Sequence, residues 1–113
     1  MIQTSKHNQI NTDLQMAKDF FAIAEIGKAR VSARKAAGEA AQVWISKNYP
    51  QKWPGLNPFQ ALEKMHELSI GNEDFKVHLE RLLMKVDTNY NLPANVDLIA
   101  SAEFIIQNIL KED

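Results

Sequence analysis

No proline interrupts the chain before Pro50, and the stretch from Thr12 to Asn48, TDLQMAKDFFAIAEIGKARVSARKAAGEAAQVWISKN, is the longest segment with a single periodicity. It reads as helix throughout. Thr12 with Gln15 three residues on has the form of a capping box, in which the hydroxyl accepts a free first-turn amide and the carboxamide reaches back to the cap. At about 100° per residue, Ala22, Ile26, Ala29, Ala33, Ala36, Ala40 and Val43 fall on one line, with Ala37 and Trp44 at its edge. Side chains this small let a facing helix approach at the short end of the roughly 8–10 Å range of interaxial distances. The polar residues Ser32, Lys35, Glu39 and Gln42 are expected on the opposite, solvated side. Earlier in the stretch, Phe20 to Ile26 is apolar almost all round, the mark of an enclosed helix. A continuous helix from Asp13 to Asn48 would be about 54 Å long at 1.5 Å per residue, so a break at Gly27 or Gly38 is the natural alternative.

The remaining elements are punctuated more sharply. Residues 1–11 are polar and aperiodic and read as a flexible tail, leaving 12–113 as one helical domain. Tyr49-Pro-Gln-Lys-Trp-Pro-Gly-Leu-Asn57 is a stiff aromatic connector, because proline cannot continue a helical ladder. Asn57, Pro58 and Gln60 open a helix whose core face is Ala61, Leu62, Met65 and Leu68, and Gly71 is expected to stop it. Asn72 caps the next, with Glu73 and Asp74 suited to its dipole and Phe75, Leu79, Leu82 and Val86 as its buried stripe. Asp87 to Pro93 reads as a loop. A last helix from about Asn95 to Lys111 carries Leu98, Ile99, Ala102, Ile105, Ile106, Ile109 and Leu110 on one face. The pattern predicts an all-α fold: a four-helix bundle, or five helices if the long one breaks, built around one Ala-rich N-terminal helix.

Charge and composition exclude several function classes. The chain has no cysteine, hence no disulfide, thiolate metal site or cysteine nucleophile. Its polar amino terminus and lack of an apolar run near ~20 residues predict a cytoplasmic protein that does not span a membrane. Net charge is −1, which argues against a dedicated nucleic-acid binder. Residues 1–57 nevertheless carry eight Lys or Arg against four Asp or Glu, and residues 58–113 carry five against ten, so the two halves attract.

Two constellations resemble chemistry. Glu63 and His66 have the E-x-x-H spacing of carboxylate-bridged di-metal bundles, but it occurs once, and such sites need a second copy and two further carboxylates. Asp74 and His78 read as a solvated i,i+4 pair. Lys28, Arg30, Arg34 and Lys35 form the densest cationic cluster, yet Arg30 and Arg34 flank one side of the alanine seam and Lys28 and Lys35 the other. There is no phosphate-cradling glycine loop and no G-x-S-x-G elbow.

These features lead to a non-catalytic protein that binds another protein, as a small regulator, an inhibitor or immunity-type protein, or an accessory subunit. No catalytic residue, cofactor or metal is expected. Tyr49 and Trp53 in the connector, and Val77, Met84 and Phe104 off the helical core faces, are the expected contact residues for a heterologous partner or a second copy, since apolar patches beyond the needs of one core are common at interfaces. The alternative is a nucleic-acid-associated factor using the Arg30/Arg34 face, with Lys28 and Lys35 beside it. A metal-dependent enzyme using Glu63 and His66 is more remote.

Overall fold

A computed structural model describes the backbone of residues 2–84 and 97–110, which form five helices and, among the described residues, no strand: α1 (Ile2–Ala22), α2 (Ile26–Asn48), α3 (Pro58–Glu67), α4 (Glu73–Leu83) and α5 (Leu98–Leu110). The expected loop over Asp87 to Pro93, and Val86, lie outside the described residues.

The long helix is two helices, and the break lies at neither glycine proposed for it. Phe20 carbonyl oxygen accepts from Glu25 N–H at 2.8 Å and Phe21 carbonyl oxygen accepts from Ala24 N–H at 3.0 Å. Ala24 itself is left-handed, with φ 62°. This is the Schellman pattern of a helix C-terminus, closed by an alanine where glycine is usual. Because a Cβ in this conformation costs about 1–2 kcal/mol, Ala24→Gly is expected to stabilise the chain by about 1 kcal/mol. An increase in the urea midpoint at unchanged slope would register it.

The break turns α1 back along α2, so the longest dimension is 38 Å rather than the length of one continuous helix. Two expectations fall with it. Of the residues expected to form a tail, 2–11 belong to α1, and Ile10 is wholly buried. The supposed solvated back of α2 is largely covered, for Ser32 and Glu39 are buried and Lys35 Nζ lies 3.8 Å from Oδ1 of the buried Asp13 on α1.

The alanine seam is the centre of the core from Ala29 onward: Ala29, Ala33, Ala36, Ala37, Ala40 and Val43 are all buried. Ala22 and Ile26, at its start, are not. α2 meets α1, α3 and α5, while α4 closes the far side against α3 and α5. Leu62, Met65, Phe75, Leu79, Leu82, Leu98 and Ile105 complete the core.

The caps explain the later boundaries. Asn57 Oδ1 accepts from Gln60 N–H at 2.7 Å, and Gln60 Oε1 accepts from Asn57 N–H at 3.0 Å, a full capping box. Asn72 Oδ1 accepts from Phe75 N–H at 3.0 Å. α3 ends before Gly71 is reached: Ser69, at φ 55°, takes the left-handed position, with Ile70 N–H donating to Met65 carbonyl oxygen at 3.3 Å. α5 starts at Leu98 because Asp97 Oδ1 caps Ala100 N–H at 3.0 Å.

Candidate interaction surfaces

The connector between α2 and α3 builds the most structured surface feature. Tyr49 N–H still donates to Ile45 carbonyl oxygen at 2.8 Å, but Pro50 has no N–H to follow it. Gln51 then adopts φ 66° and Gly55 φ 79°, and the bend returns to α2 where Gln42 Nε2 donates to Leu56 carbonyl oxygen at 2.8 Å. The turn gathers three aromatic rings in series, Trp44 to Tyr49 at 5.9 Å and Tyr49 to Trp53 at 5.1 Å between centroids, both tilted. Lys52 Nζ and Lys64 Nζ stand 5.3 Å and 4.8 Å from the Trp53 ring, within cation–π range. Beside these rings opens a cavity of about 440 Å³ whose walls include Ile45, Tyr49, Pro50, Trp53, Pro54 and Leu56, with no acidic side chain in its lining. A non-glycine residue held at positive φ beside a cavity stores strain where the surroundings over-determine it, a recurrent property of ligand clamps.

The other three residues expected at an interface do not join this cavity's lining. Phe104 is half-buried and stacked on His78, with ring centroids 4.3 Å apart, so it closes the α4–α5 contact instead of standing free. Met84 is half-buried at the end of α4, and only Val77 is well exposed. Strong apolar exposure lies where enclosure was expected, in the Phe20 to Ile26 segment, with Phe21 60% and Ile23 68% accessible; Val31, at 63%, and Met16, at 41%, lie on either side of it, against 40% for Val77. Phe21 and Ile23 stand out because the helix breaks there, and Phe21 lines a cavity of about 250 Å³ with Ile26, Leu98 and Ile99. Sequence periodicity cannot signal this, since an apolar segment at a corner and one inside a core look alike.

The four cations of the basic cluster are distributed among separate tasks. Arg34 Nε donates to Leu82 carbonyl oxygen at 2.7 Å and Arg34 Nη2 to Met84 carbonyl oxygen at 3.1 Å, satisfying the end of α4. Its guanidinium also lies 6.0 Å from the Phe59 ring, and burial pulls its pKa down from the ordinary arginine value. Lys35 faces Asp13, and Lys28 Nζ lies 5.7 Å from the Phe20 ring. Arg30 is half-buried and borders the smaller cavity together with Asp97. Arg30 and Arg34 therefore do not present one face to a phosphate backbone.

His66 Nε2 lies 3.1 Å from Glu80 Oε2 across the α3–α4 contact, while Glu63 is exposed. Among the described residues no three His, Asp or Glu side chains converge in a metal-binding arrangement. His78 departs from its expected solvated pairing with Asp74: its Nδ1 is 2.9 Å from Ser101 Oγ on α5. A serine–histidine contact invites comparison with nucleophilic catalysis, but Ser101 is wholly buried and no substrate carbonyl can reach it. The hydrogen bond joins two helices.

Burial holds the His78 pKa below the ordinary 6.5, Arg81 adds to the depression and Asp74 opposes it. The unfolded chain therefore binds the proton more readily than the fold. Stability contributed by the neutral ring is full above pH 6.5 and is lost as pH falls below that value toward the folded pKa. Wild type is expected to lose more stability on acidification through this window than His78→Gln, as read from paired denaturant midpoints; parallel pH profiles would contradict it.

No family model, characterised protein or solved structure matches the chain, so function rests on these surfaces alone. No described helix is long and apolar enough to cross a membrane.

Proposed function

We propose that this chain is a non-catalytic helical protein, a five-helix bundle around α2, that works by binding another protein as a regulator, inhibitor or accessory subunit. The observation that carries the reading is the cavity of about 440 Å³ walled by Tyr49 and Trp53 in a connector stiffened by two prolines. Aromatic side chains offer large contact area at low conformational cost, and binding energy concentrates in a few such anchors. A pre-shaped wall adds to this by reducing what must be ordered on association.

Tyr49→Ala combined with Trp53→Ala is expected to weaken association by more than about 2 kcal/mol, with helical content retained. Quantitative co-purification from host extract, compared between wild type and this double variant, supplies the check. Retention of every co-purifying protein by the variant would remove the connector from the interface.

A second copy of the chain is the next reading, supported by the exposure of four large apolar side chains, Met16, Phe21, Ile23 and Val31, on the stretch of α1 and α2 that spans their break. The nucleic-acid and metal readings draw less support, because Arg34 and His66 already serve the contacts described above.

A further inference from the structure

We propose that the connector cavity takes an extended acidic peptide segment of the partner, with one apolar or aromatic side chain entering beside Tyr49 and Trp53 and flanking carboxylates meeting Lys52 and Lys64. The inference rests on the protein-binding reading above and adds the chemistry of the ligand.

Three observations converge. The first is size and shape: about 440 Å³ opening at the surface falls within the usual range for ligand clefts, and the lining mixes rings and prolines with the polar Gln42, Ser46 and Gln51. Such a wall accepts a side chain and leaves polar groups for the peptide backbone on either side of it.

The second is charge. Lys52 and Lys64 converge on one ring, at 5.3 Å and 4.8 Å, and nothing acidic lines the cavity. Lys64 also has Glu67 Oε1 at 3.2 Å, an exposed pair that an incoming carboxylate can share or replace at small cost. The C-terminal end of α2 opposes an anion here, but that partial charge fades within the last turn, whereas the two ammonium groups carry full charges. Two cations at one locus suit one or two carboxylates. A nucleic-acid backbone instead needs a row of cations along its phosphates, and the Arg30 to Lys35 cluster that would extend such a row is split among other contacts.

The third is preorganisation. Pro50 and Pro54 fix their own φ, Gln51 and Gly55 hold positive φ, and Gln42 ties the far end to Leu56, so the walls stand in place before a ligand arrives.

The test is a display library of random dodecapeptides selected on the immobilised full-length chain, with selected peptides then titrated against wild type and variants by tryptophan fluorescence. Selected sequences are expected to be net negative with at least one Leu or aromatic residue. They should bind at least about tenfold more weakly to Lys52→Glu/Lys64→Glu and lose affinity with added salt, while Lys52→Arg/Lys64→Arg retains binding. Circular dichroism of each variant separates loss of binding from loss of fold. Selected peptides that are neutral or basic, yet still lost in Tyr49→Ala/Trp53→Ala, would overturn the acidic ligand and leave the protein-binding reading standing. Selection that depends on neither the lysines nor the aromatic pair would overturn both. A labelled oligonucleotide bound more tightly than any peptide and released by the lysine reversal would assign the site to nucleic acid instead.

Discussion

Gly38→Ala is expected to lower the melting midpoint by about 8 °C, at roughly 4 °C per kcal/mol for a chain of this size. Gly38 sits inside α2, where alanine is intrinsically the better helix former by about 1 kcal/mol. An added Cβ, however, would stand 2.5 Å from both Cβ and the carbonyl oxygen of Pro58 and 2.7 Å from its carbonyl carbon. Neither a proline ring nor a backbone carbonyl can swing aside, so the first turn of α3 must lift from α2. Overpacking of this kind costs about 1–3 kcal/mol and occasionally more, and with rigid neighbours the upper end applies, leaving a net loss of about 2 kcal/mol. Gly27→Ala is the internal control. An added Cβ there meets nothing within 4 Å, so the same change should leave the midpoint unchanged or raise it. Thermal melts of the two variants side by side decide the matter, and equal shifts would show that α3 does not cross α2 at Gly38.

Arg34→Met is expected to cost about 3 kcal/mol. The side chain spans from α2 to the last turn of α4 and gives two hydrogen bonds to carbonyls that have no helical partner, Leu82 at 2.7 Å and Met84 at 3.1 Å. Hydrogen bonds from a charged donor contribute about 1.5–3 kcal/mol, and removing the donor leaves two acceptors stranded in a half-buried position. Methionine keeps much of the apolar stem, so the loss reports on the guanidinium. Lysine should recover less than half, because one ammonium cannot reproduce the planar fork. Chemical denaturation supplies the values; a loss near zero would return Arg34 to the list of surface cations free to meet a ligand.

The starts of α3 and α4 were legible in sequence, but the equally local Thr12–Gln15 capping box does not form: Thr12 lies within α1, where its Oγ1 donates to Asn8 carbonyl oxygen at 2.8 Å. Asn57 with Gln60, and Asn72 with Phe75, make their caps within four residues of chain, so both helix starts could be read directly. The alanine seam likewise followed from spacing. The break after Ala22 did not, since the left-handed position is filled by alanine and the nearby Gly27 drew attention to the wrong residue. Ser69 misdirected the end of α3 toward Gly71 in the same way. The first eleven residues looked like a tail because their composition is polar, whereas Ile10 inserts into a core formed by residues far along the chain.

The candidate site was legible to a similar depth. Tyr49 and Trp53 could be paired from their four-residue spacing across Pro50, but the cavity also needs Ile45 and Leu56, and Lys64 arrives from α3. Arg34 was visible only as a charge; its carbonyl partners lie 48 and 50 residues away.

The buried seam has an entropic consequence. Six of the buried positions on α2 are alanines, which have no rotamers to lose, so most of the enclosed face of this helix is ordered at backbone cost alone. Much of the freezing of side-chain torsions is borne by the large buried side chains of the same core, Leu62 and Met65 on α3 and Leu79 and Leu82 on α4 among them. Thermal motion that loosens the fold should therefore start in those two helices, of which α3 borders the aromatic cavity through Lys64, while α2 keeps its place.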